Sequence, residues 1–140
     1  MKRRVLVSAA LAAALACAAG LSLAAPSAEI LSVQERASGV SAARIHEAVK
    51  QAAALRKWGI KADEPGRMLL VYPTNNRSLQ YQATVSVTYG EGFYKVEYVS
   101  SRGLNEQLNC RGRQGVVCAH RNVNRWIANL GKDLKRLLMQ

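Results

Sequence analysis

The chain has 140 residues, of which 20 are Lys or Arg and 9 are Asp or Glu. That length suits one domain rather than two, and an apolar content of 49% argues against a disordered chain. Three cysteines are too few for a miniprotein held together by disulfides. Nine acidic residues and two histidines offer little material for acid–base catalysis, so we expect a non-enzymatic protein without a cofactor.

Residues 1–25 predict a secretory signal peptide. A basic start, 2–4, precedes an uncharged and mostly apolar run, 5–25. The run ends with Ser22 and Ala24, small residues at the positions that a signal peptidase inspects. This interpretation makes 26–140 a single α+β domain in the periplasm or outside the cell, with no membrane span after cleavage.

A lipoprotein signal is the alternative. The segment Ala14-Leu15-Ala16-Cys17 is similar to the motif in which a cysteine is acylated and becomes the mature N-terminus. Under this interpretation Cys17 anchors the protein to a membrane.

The first helix is predicted from Ser41, as its N-cap, to about Lys57, with Gly59 as its C-terminal cap. Segment 29–36 ahead of it is either a short strand or an extended arm. The apolar stripe of the helix consists of Ile45, Ala48, Val49, Ala52 and Leu55.

A run of strands follows the first helix. Residues 79–89 alternate without error between apolar and polar side chains, which predicts a sheet with one buried face and antiparallel neighbours. Gly90 and Gly92 frame a hairpin loop. The predicted strands are 60–63, 67–72, 79–89 and 93–100.

The second helix opens at Asn122, and its apolar residues recur at helical spacing. The fold class that follows is a two-layer α+β sandwich, an antiparallel β-meander flanked by an N-terminal and a C-terminal helix. Trp126, Tyr81, Tyr94 and Tyr98 are interpreted as core residues, with a ligand cage as the alternative. The stripe of the second helix is Val123, Trp126, Ile127, Leu130, Leu134, Leu137 and Leu138.

Cys110 and Cys118 remain once Cys17 is assigned to the leader, and an even pair in an exported protein predicts a disulfide. Gly112 and Gly115 let the chain turn back between them. A metal site that adds His120 is the weaker alternative, since an oxidising compartment opposes free thiolates, and we expect no metal.

From Phe93 onward the chain carries Tyr94-Lys95-Val96-Glu97-Tyr98, then Ser101 and Leu104-Asn105, and later the motif His-x-Asn-x-Asn-x-Trp-Ile-x-Asn-Leu at 120–130. This pattern resembles a family of small, functionally uncharacterised bacterial exported proteins and lipoproteins. The chain departs from it at Val123, where the family usually has Tyr, and in a longer segment at 106–119. The resemblance implies an envelope location, often with a lipid anchor, and implies no enzyme activity.

The segment from His120 to Asn124 has two interpretations. In the first, the Asn side chains cap the second helix and His120 fixes the loop before it. In the second, free N–H groups together with Arg121 and Arg125 bind an anion.

Positive charge is concentrated at the C-terminus, because residues 102–140 contain eight basic and two acidic residues. Such a surface favours anionic lipid, lipopolysaccharide or an acidic envelope protein as a partner. Nucleic acid is not expected, because the polar sheet face has no pair of aromatic residues for base stacking. The candidate anion-binding residues are Arg111, Arg113, Arg121, Arg125, Lys132 and Arg136.

Two further functions stay open. A structural or interaction module would recruit a partner strand at a sheet edge, expected at 67–73 or 93–99. A hydrolase would require His46 or His120 to lie beside an acid in a cleft.

Overall fold

A computed structural model describes residues 27–140. The signal peptide expected at 1–25 and the alternative acylation of Cys17 lie outside the described residues. The strands are β1 (Ser27–Glu29), β2 (Val33–Arg36), β3 (Gly59–Glu64), β4 (Arg67–Tyr72), β5 (Gln82–Gly90), β6 (Phe93–Arg102), β7 (Gln107–Leu108) and β8 (Val117–His120). The helices are α1 (Ala42–Leu55) and α2 (Asn122–Leu138), and two 3-10 turns span Asn76–Leu79 and Cys110–Gly112.

The larger sheet has five antiparallel strands in the order β2-β6-β5-β4-β3. Strands β3 to β6 lie side by side in chain order, which confirms the predicted meander. The prediction of a sheet edge at 67–73 or 93–99 is wrong, because β4 and β6 each lie between two other strands. The true edges of this sheet are β2 and β3.

The hairpin of β5 and β6 confirms the predicted alternation. Val85 lies opposite Tyr98, and Val87 lies opposite Val96, on the face that the helices cover. Val85, Val87 and Val96 are fully buried, and Tyr94 is 1% exposed. This face therefore supplies the sheet's half of the hydrophobic core.

The predicted start of β5 at Leu79 is wrong, because the strand begins at Gln82. Leu79 ends a 3-10 turn and is 83% exposed. The Asn75 side chain accepts a hydrogen bond from the Arg77 N–H at 3.0 Å. A local bond of this kind stabilises a turn against a strand, and alternation of apolar residues does not reveal it.

Helix α1 begins as predicted, since the Ser41 hydroxyl accepts a hydrogen bond from the Arg44 N–H at 3.2 Å. Leu55 was expected in the apolar stripe but is 60% exposed, because it is the last helical residue and turns away from the sheet. The buried residues of α1 are Ile45, Ala48, Val49, Ala52 and Ala53.

Helix α1 ends at Leu55, two residues before the predicted end at about Lys57, and Gly59 is not its C-terminal cap but the first residue of β3. Lys57 adopts a left-handed conformation with φ of 59°. Its N–H donates to the Ala54 carbonyl at 3.3 Å. The Trp58 N–H donates to the Ala53 carbonyl at 2.8 Å. These two bonds form a Schellman motif, in which Lys57 holds the position that glycine usually takes.

Helix α2 packs its predicted apolar stripe on the sheet. Gly131 lies where the helix approaches β2 most closely, since an added Cβ would be 2.9 Å from Val33 Cγ1. Glycine therefore permits this contact despite its low helix propensity. Val123, Ile127, Leu130 and Leu134 are fully or almost fully buried, and Trp126, Leu137 and Leu138 are partly buried.

The two helices form one layer and contact each other as well as the sheet. Arg44 Nη2 donates to the Leu137 carbonyl at 3.2 Å, so the start of α1 lies beside the end of α2. The core fills the space between this layer and the apolar sheet face. The arrangement confirms the predicted two-layer α+β sandwich.

A smaller sheet, with the order β1-β8-β7, was not predicted. Segment 29–36, expected to be one strand or an arm, instead contributes to both sheets through β1 and β2. The predicted disulfide between Cys110 and Cys118 is confirmed, with the Cα atoms 5.9 Å apart. It closes the loop that joins β7 to β8.

Candidate anionic-ligand surface

The outer side of α2 carries an unbroken stripe of positive charge. We call this stripe the basic face. Successive members are four, seven, three and one residue apart, and all fall within about 100° of the helix circumference, at 3.6 residues per turn. All five are exposed. They are Arg121, Arg125, Lys132, Lys135 and Arg136.

The only acidic residue of α2, Asp133, is 4% exposed and does not share the basic face. Arg56 Nε donates to its Oδ2 at 2.7 Å, and Arg56 Nη2 donates to its Oδ1 at 3.3 Å. Arg136 Nη2 also donates to Oδ1, at 3.3 Å. The hydrogen bond and the charge of Asp133 raise the pKa of Arg56 above its ordinary value. The helix therefore turns its negative charge inward and its positive charge outward.

The two arginines of the disulfide loop do not join the basic face. In the chain, strand β8 lies between the loop and the start of α2. Arg113 Nη2 donates to Glu29 Oε1 at 2.7 Å, so its charge is matched by an acid of β1. Arg111 is exposed on the loop with φ of 57°. Of the six candidate anion-binding residues, four share one side of α2, and these are Arg121, Arg125, Lys132 and Arg136.

The hydrogen bonds at the start of α2 differ from the predicted capping by Asn side chains. His120 Nδ1 accepts a hydrogen bond from the Asn122 N–H at 3.2 Å, so the imidazole serves the first turn. Asn124 instead binds the N-terminal segment: its side chain accepts from the Leu31 N–H at 2.9 Å and donates to the Glu29 carbonyl at 2.7 Å. Capping by the Asn side chains is therefore wrong, and anion binding at this turn stays a prediction.

The aromatic residues divide into a buried group and a cluster at the rim of the core. Tyr94 is a core residue, whereas Trp126 and Tyr81 are only partly buried. The rings of Trp126 and Tyr72 meet edge to face, with centroids 5.0 Å apart. Trp58 and Tyr72 lie 5.2 Å apart, and Tyr81 stacks on Trp126 at 6.3 Å.

A cavity of about 180 Å³ opens beside this cluster, between the end of α1 and the first half of α2. We call it the aromatic cleft. The sequence interpretation missed most of its members, because they come from separate elements and nothing in their spacing links them. The presence of Trp and Tyr side chains was the only indication of a ligand site that the sequence offered. The lining residues are Arg56, Trp58, Tyr72, Arg125, Trp126 and Asn129.

One histidine does lie beside an acid. His46 Nε2 is 3.0 Å from both carboxylate oxygens of Asp63, and the ring packs against Tyr89 at 5.9 Å. This pair connects α1 to β3. Within residues 27–140, the hydrogen bonds of His46 and His120 include none to a Ser, Thr or Cys side chain that could act as a nucleophile. The non-enzymatic interpretation stays a prediction.

Comparison with known proteins adds no assignment to this geometry. The chain matches no protein-family model, and no curated protein aligns with it significantly. The resemblance to small exported proteins and lipoproteins therefore stays a prediction.

Proposed function

We propose that the protein is a non-catalytic, exported module of the cell envelope that docks on an anionic membrane surface through the basic face of α2. One observation carries the proposal: the exposed charge of this helix has a single sign. Its five cations are exposed, and its one carboxylate is buried beneath them and paired. Surfaces of this kind attract polyanions.

The expected strength of docking is modest. A basic side chain near an anionic membrane surface contributes about 1 kcal/mol. The basic face would therefore contribute a few kcal/mol, since Arg136 is partly engaged by Asp133 at 3.3 Å. Binding of this size is reversible and is screened by salt.

Docking would leave the fold intact. The apolar stripe of α2 is already buried against the sheet, so this side of the helix is not available for insertion into lipid. Across the described part of the chain, no helix is long and apolar enough to cross a membrane. Electrostatic contact, without insertion, is the mode that these facts support.

Export is supported by the disulfide between Cys110 and Cys118, since such bonds persist in oxidising compartments. The signal peptide predicted at 1–25 would deliver the chain to the periplasm or beyond. Acylation of Cys17 is the alternative, and it would hold the basic face near the membrane from the start.

Sedimentation of the mature chain with lipid vesicles tests this function. Vesicles of phosphatidylglycerol mixed with phosphatidylcholine should bind the protein at low ionic strength and release it at high ionic strength. Vesicles of phosphatidylcholine alone are the control and should not bind it. Aggregates of lipopolysaccharide, tested in parallel, identify which anionic lipid is preferred. Binding that is equal for both vesicle types, or unaffected by salt, would contradict the proposal.

Recruitment of a partner strand is less well supported. The edge strand β3 has an irregular register between Ile60 and Ala62, and it carries Lys61, Asp63 and Glu64. The other edge, β2, has four residues. A bulge, charged side chains and a short strand are features that oppose strand addition.

A further inference from the structure

The aromatic cleft has the composition of a ligand site. Tyr72 stands between the indoles of Trp58 and Trp126, tilted by 44° to the first and by 63° to the second. Rings in this arrangement do not fill the adjoining space, which stays open as a cavity of about 180 Å³. A cavity of this size suits one small ring rather than an extended ligand.

Two guanidinium groups reach this cavity from different elements. Arg56 follows the last residue of α1, and its Nε and Nη2 are fixed on the buried carboxylate of Asp133. The third nitrogen, Nη1, takes no part in those bonds. Arg125 extends from the first half of α2, and among the described ion pairs it has none. One cation is therefore held in a fixed orientation, and the other is available to an incoming anion.

Asn129 adds a neutral polar group one helical turn after Arg125. An amide both donates and accepts hydrogen bonds, which matches a hydroxyl group that does the same. The cleft thus presents aromatic surface, positive charge and an amide to the same small volume.

We propose that the aromatic cleft binds one ring of an acidic sugar. The C–H groups on one face of a sugar ring pack well against the electron-rich face of an indole or phenol. The carboxylate or phosphate of the sugar would bind Arg125 and Arg56, and a hydroxyl would bind Asn129. An acyl chain in this volume would offer no hydrogen-bond partner to Arg125 or Asn129, which is costly where water is excluded.

Intrinsic fluorescence tests this inference directly, because the chain has two tryptophans and both line the cleft. Titration with a trimer of galacturonate should change the emission of the mature protein, and titration with maltotriose, a neutral trimer, should not. Lipopolysaccharide, which carries acidic sugars on a lipid, forms a second arm. A response to the free trimer indicates a soluble polysaccharide as the source, and a response to lipopolysaccharide alone indicates a glycolipid. Calorimetry of the same mixtures measures affinity without relying on the optical signal.

Two variants locate the site. Arg125→Ala should weaken binding of the acidic sugar about tenfold, the loss expected for one charge-assisted hydrogen bond. Arg67→Ala is the matched control, because it removes an exposed arginine of β4 that neither lines the cleft nor belongs to the basic face, and it should leave the affinity unchanged. The inference is overturned if neither acidic ligand binds, if maltotriose binds equally well, or if both variants lose affinity alike.

These titrations with the free trimer contain no membrane. Failure of the docking proposal would therefore leave their result intact, and the reverse also holds.

Discussion

The outer faces of the two helices differ in how their charges are arranged. On α1, Glu47 Oε1 lies 3.6 Å from Lys50 Nζ, so opposite charges meet at the surface. On α2, the single acid is turned into the protein, and the surface is left to cations. Charges that meet at a surface cancel locally, whereas the cations of α2 add their fields. The position of the acids, more than the number of bases, identifies the candidate docking surface.

Removal of the inward acid, Asp133, tests this comparison between the helices. Asp133→Asn should lower the free energy of unfolding by about 2 kcal/mol, because a buried carboxylate that accepts three charge-assisted hydrogen bonds is lost. Glu47→Gln on α1 is the matched control. Its pair is exposed, so a change within about 0.5 kcal/mol is expected. Urea denaturation of the two variants checks both values, and an equal loss would contradict the distinction between the helices.

The contact between α2 and the sheet includes a buried tyrosine, and this tyrosine makes the stability of the fold depend on pH in the alkaline range. Tyr94 Oη lies 3.5 Å from the Gly131 carbonyl of α2. Burial, with a smaller contribution from Glu35, raises the pKa of Tyr94 to about 12. The folded state thus favours the neutral phenol. Its contribution to stability is complete below the ordinary pKa of about 10 and is lost as the pH rises towards 12.

We therefore expect stability to fall by about 2–3 kcal/mol between pH 10 and pH 12 on account of Tyr94. Urea denaturation across this range measures the loss, and Tyr94→Phe should make it smaller. Burial also raises the pKa of Tyr98, so part of the decline should persist in that variant. A variant with the same alkaline decline as the wild type would show that Tyr94 is not the group responsible.

The smallest expected effect concerns the way α1 ends. Lys57 holds the left-handed position of the Schellman motif, which glycine adopts without steric cost. Lys57→Gly should stabilise the fold by about 0.5 kcal/mol, the steric gain being partly offset by the greater freedom of glycine in the unfolded chain. Thermal and urea denaturation measure this change. A loss of stability would mean that the Lys57 side chain stabilises the fold by more than its left-handed conformation costs.

The pattern of neighbouring residues in the sequence was enough to predict the features that lie within a single helix or strand. The alternation in β5, the stripe of α2 and the Ser41 cap all follow from neighbouring residues. The end of α1 was missed because Lys57, and not Gly59, adopts the left-handed conformation. The start of β5 was missed because an Asn side chain stabilises the turn before it.

The candidate sites were less accessible from the sequence, because tertiary contacts create them. Arg56 meets Asp133 across 77 positions of sequence, and no local pattern reveals that pair. Arg113 likewise meets Glu29 across 84 positions of sequence. The grouping of the basic residues from Arg121 to Arg136 could be predicted, because these residues follow a single helix.

Vesicle binding by two matched triple variants tests the central claim most directly. The first replaces Arg121, Lys132 and Lys135 of the basic face with Gln, and the second replaces Lys50, Lys57 and Lys61, which are exposed elsewhere. Both lose the same net charge, and both spare Arg125 in the aromatic cleft. The account predicts that the first variant no longer sediments with phosphatidylglycerol vesicles at low ionic strength, while the second still does. Equal binding by the two variants would contradict it.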